Sequence, residues 1–72
     1  MNDDQIEDPE EAIRAQLAEL TQDHADLDAA VQALTHVPVP DMMLIGRLKR
    51  KKLLLKDQIQ QLKDQLTPDI IA

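Results

Sequence analysis

Apolar residues recur along two stretches of the chain at alternating intervals of three and four. In the first, Ile13, Leu17, Leu20, His24, Leu27, Val31 and Leu34 follow this spacing. In the second, Ile45, Leu48, Lys52, Leu55, Ile59, Leu62 and Leu66 do the same. Such spacing draws one stripe along an α-helix and is the a/d seam of a coiled coil. Each seam is broken once by a polar residue, His24 in the first and Lys52 in the second. Between the stretches stands Val37-Pro38-Val39-Pro40, where two prolines lack amide hydrogens and restrict the residues before them. The pattern predicts helix 1 over about 9–35, a proline connector over 36–40 and helix 2 over about 41–66. Asp8-Pro9-Glu10-Glu11 is a favourable start for helix 1, and Asp41 is placed to cap helix 2. Thr67-Pro68 closes helix 2. Residues 1–7 read as a disordered acidic arm and 67–72 as a short apolar tail, so the hairpin proper spans 8–66.

A connector this short makes consecutive helices antiparallel neighbours. Folding the second stripe onto the first pairs Leu34 with Ile45, Val31 with Leu48 and Leu27 with Lys52. The next layers pair His24 with Leu55, Leu20 with Ile59, Leu17 with Leu62 and Ile13 with Leu66. The two numbers in every pair add to the same total, so two independent stripes agree on one register. The expected fold is all-α: two long helices in an antiparallel coiled-coil hairpin, with dimerisation into a four-helix bundle as a means of adding burial.

Composition narrows the class. The 72 residues contain no Cys, Phe, Tyr or Trp and one Gly. Disulfides, thiolate nucleophiles and cysteine-rich zinc sites are excluded, and a sheet-containing core without aromatics would be unusual. No apolar run approaches the ~20 residues of a membrane span, and the acidic start is unlike a signal peptide. The expected compartment is the cytoplasm. The net charge of −6 hides a division: residues 1–36 hold ten acids against Arg14, and residues 41–72 hold seven bases against four acids. The halves therefore face one another or different partners.

Three groups of residues are candidates for function. His24 and Lys52 occupy adjacent seam layers, where a polar residue fixes register at some expense of stability; His24 could instead sense pH. Arg47, Lys49, Arg50, Lys51 and Lys56, with Lys52 among them, form a basic stretch. Lys49, Lys56 and Lys63 flank the seam at seven-residue intervals, placed to pair with acids such as Asp28. Leu53 and Leu54 fall outside the seam, and Met42, Met43 and Leu44 add apolar surface near the connector, together a candidate interface. Helix 1 is alanine-rich outside its seam. Gly46 could permit close approach of another backbone. No nucleophile–base set, phosphate-binding loop or metal-ligand cluster is present, so no enzyme activity, cofactor, metal or small-molecule substrate is expected. The expected role is a non-enzymatic protein–protein interaction module, as a homo-oligomer or docked on a helical partner. A nucleic-acid-associated regulator using residues 47–56 is the alternative, which the acidic total and the lack of stacking aromatics count against.

Asp23-His24-Ala25-Asp26-Leu27-Asp28, followed by Val31 and Leu34, resembles the first helix of the YdcH-like family of small bacterial helical-hairpin proteins. The run from Leu48-Lys49-Arg50-Lys51-Lys52 through Leu53-Leu54-Leu55-Lys56-Asp57-Gln58-Ile59 resembles the second, and Thr67-Pro68-Asp69-Ile70-Ile71-Ala72 an ending seen in some members. The resemblance covers roughly residues 13–66. It implies a bacterial origin and a helical hairpin, and it brings no activity, cofactor or catalytic residue.

Overall fold

Pro9 opens the first helix because its fixed φ suits the first helical position, where the missing amide hydrogen is not needed. In the computed structural model, which describes residues 9–66, helix α1 runs Pro9–Thr35 and helix α2 runs Met42–Leu66. Glu10 and Glu11 sit in the first turn of α1, at the positive end of its dipole. Glu10 also meets Arg14 at 3.5 Å one turn on, an exposed pair of small weight. At the other end of α1, the Thr35 hydroxyl donates to the Val31 carbonyl at 2.6 Å. His36 Nδ1 lies 2.6 Å from the Gln32 carbonyl. Both contacts are side-chain bonds back to carbonyls one turn earlier, at the end of the helix.

After the two prolines, Asp41 starts α2 from outside it. One carboxylate oxygen accepts from the amides of Met43 and Leu44, both at 3.1 Å. Its carbonyl accepts the Ile45 amide at 3.0 Å, the first bond of the helix. This is an N-cap, and it explains why the helix proper begins at Met42. Lys63 in the last turn complements the negative end of the α2 dipole.

The helices pack side by side and antiparallel. Asp28 of α1 meets Lys52 of α2 near the middle, and Leu20 shares a groove with Leu62 further from the connector. Every position of the two stripes is buried or half-buried. Among the described residues only Val31 and Ile45 are fully buried, 5% and 2% exposed, and both lie close to the connector. Two helices can enclose a side chain only from two directions, so the other stripe residues keep one flank open. Within the hairpin nothing approaches Gly46 closely: a Cβ built there meets nothing within 4 Å. The arm expected over 1–7, Asp8 and the tail expected over 67–72 lie outside the described residues.

Candidate functional site

The polar interruption in the α2 stripe builds the most distinctive part of the surface. Lys52 belongs to the layer of Leu27, yet its ammonium leaves the seam and donates to Asp28 Oδ1 at 2.7 Å. The two side chains are 28% and 43% exposed, so the pair lies at the edge of the seam. Asp28 has its carboxyl pKa lowered from 3.8, first by the hydrogen bond from Lys52 and then by its charge, against a small opposing cost of burial. The nearby His24 and a hydrogen bond donated by the Gln32 side-chain amide at 3.3 Å act in the same direction. Asp28 thus goes to Lys52 and not to the flanking row of Lys49, Lys56 and Lys63.

That flanking row borders a groove between the helices. Lys49, Lys52, Lys56 and Lys63 line it from α2, and Thr21 and His24 line it from α1. Half-buried Ile59 supplies an apolar base and exposed Leu53 an outer wall. No ion pair among the described residues engages Lys49 or Lys56. The opposite side of the hairpin is unlike it. There Gln16 and Leu20 face Gln58, Gln61, Leu62 and Gln65, a surface with no charged side chain.

The basic stretch is not one patch. Helical rotation sends Lys49 and Lys56 to the lysine groove, while Arg47 and Arg50 join Met42, Met43 and Gly46 in a separate hollow near the connector. Lys51 is exposed and lines neither. The apolar candidates divide as well. Met42, Met43, Leu53 and Leu54 are 67%, 77%, 63% and 60% exposed. Leu44 is half-buried. Leu53 belongs to the groove and Leu54 does not. Val39, 85% exposed in the connector, extends the apolar surface beside Met42 and was not among the sequence candidates. Its only signal was its place between two prolines. Thr21 and Ile59 were also missed as lining residues, although their positions beside His24 and Leu55 in the heptads would have placed them.

No group of three His, Cys, Asp or Glu able to hold a metal occurs among the described residues. Among the described residues no helix is long and apolar enough to cross a membrane.

An all-α hairpin with a lysine-lined groove on one side and an uncharged, glutamine-rich groove on the other defines the class of molecule. The chain belongs to the family described as protein of unknown function (DUF465), whose model matches residues 17–63, more than half of its length. The match takes in every residue that lines the lysine groove, and it agrees with the hairpin family that the two helical segments resemble. No curated protein and no solved structure matches the chain.

Proposed function

We propose that the protein is a non-enzymatic helical interaction module that self-associates or docks on a helical protein partner. The observation that carries this reading is the outer surface of α2. Its inner stripe is already engaged with α1, yet Met42, Met43, Leu53 and Leu54 each stand more than half exposed. Large apolar side chains left exposed beyond what the fold itself covers are characteristic of surfaces that meet another protein. The sparse interior points the same way, since a hairpin with two buried side chains among its described residues gains stability from a further helix that packs on it. A cytoplasmic setting accords with a chain that carries no cysteine.

The test is photo-crosslinking in the native host. A photoreactive amino acid replaces Leu54 or Met43, with Glu19 on the outer side of α1 as the control position. The expected result is strong adducts at 54 and 43 that protease removes, either to a second copy or to another protein, and weak ones at 19. Absence of adducts at both positions, or adducts removed by nuclease instead, would overturn the reading, the latter in favour of nucleic acid.

A further inference from the structure

We infer that the lysine-lined groove takes a third helix: an acidic amphipathic segment of a partner protein, with carboxylates repeating every seven residues beside an apolar stripe. The inference rests on the reading of the protein as an interaction module and names the partner's chemistry. The groove runs along α2, and Lys49, Lys56 and Lys63 recur in it at seven-residue intervals. At 1.5 Å per residue that repeat is about 10.5 Å. A helix lying alongside has the same repeat, so carboxylates one heptad apart can meet Lys49 and Lys56 in succession. Lys52 is already paired with Asp28 at 2.7 Å, whereas Lys49 and Lys56 meet no carboxylate among the described residues. Between the lysines, Ile59 and Leu53 offer apolar area that an apolar stripe would cover.

Other occupants fit less well. A second copy applied groove to groove would set its own lysines against these. A polyphosphate chain would leave Leu53 and Ile59 without apolar contact. An acidic helix satisfies both the charge and the apolar base.

The experiment uses the full chain and a labelled peptide about three heptads long, with leucine at a and d and glutamate at e and g. Fluorescence anisotropy should show saturable binding that weakens as salt is raised. Lys49→Glu with Lys56→Glu should weaken it about tenfold or more, given the small worth of each exposed pair and the repulsion that replaces it. That variant should instead bind the same peptide with lysine in place of glutamate. Lys49→Gln with Lys56→Gln, which adds no new charge, should fall between the two and retain the wild-type circular dichroism. Equal binding of a peptide with the same residues in scrambled order would overturn the inference. So would tighter binding of a duplex oligonucleotide, or sedimentation showing a wild-type dimer that the lysine changes dissolve. These failures leave the crosslinks at Leu54 and Met43 untouched, because neither residue lines the groove.

Discussion

Lys52 occupies a position where a leucine would continue the stripe, and the structure shows how the charge is accommodated. The aliphatic stem stays in the layer while the ammonium reaches sideways to Asp28, so the charged head is not trapped opposite Leu27. Asp28 carries a pH signature. Its pKa in the hairpin lies below the 3.8 of the ordinary carboxyl, because the hydrogen bond and charge of Lys52 favour the ionised form. A depressed folded-state pKa contributes stability that is present above 3.8 and is lost as the pH falls through the lower folded value. The melting temperature of the wild type should therefore exceed that of Asp28→Asn by a small, steady margin from neutrality down to about pH 5. The margin should close on further acidification. Circular dichroism melts of both proteins measure it; a margin that ignores pH would assign the effect of the substitution to something other than this pair. The break in the stripe was visible in the spacing of apolar residues. The partner was not, because Lys49, Lys52 and Lys56 all lie within a turn or so of Asp28 in the antiparallel register. The choice among three flexible side chains is made by rotamers that periodicity does not encode.

The helices are the level at which the sequence was most readable. Their stripes, the pair of prolines between them and the capping aspartate are local signals whose physics needs no distant contact, and together they imply the all-α hairpin. The basic stretch was harder. Written as a line, residues 47–56 look like one patch, but each residue turns the helix by about 100°. Arg47 and Arg50 consequently separate from Lys49 and Lys56. Leu44 lies off the ideal stripe and is nevertheless half-buried, unlike Met42 and Met43 beside it. Gly46 yields a prediction at this scale. It sits inside α2 with open space where a Cβ would stand. Gly46→Ala should stabilise the hairpin by about 0.8–1 kcal/mol through helix propensity alone. Chemical denaturation would register this as a higher midpoint with an unchanged slope. A loss of stability would mean that another backbone packs on that turn in the assembled protein.

At the scale of the whole molecule, the seam is flanked by a lysine-lined groove on one side and, toward the free ends, by a smaller hollow lined by glutamines and leucines on the other. The connector holds a further consequence. The two fully buried side chains, Val31 and Ile45, lie beside it, and the half-buried layers stretch away toward the free ends. Closing the few residues of the connector costs little chain entropy, and the contacts made there are the most protected from water. Assembly should begin at that end and zip outward, in the order set by loop length, which is the behaviour of fast-folding helical proteins of low contact order. Opening should run in reverse. Hydrogen exchange should therefore show protection highest in the amides around 31 and 45 and falling steadily toward 9–13 and 62–66. Uniform protection along both helices would indicate that the whole seam opens in one step. With graded protection, the molecule behaves as a zipper fastened at the connector, and a neighbour that grips its free ends slows its unfolding without touching its core.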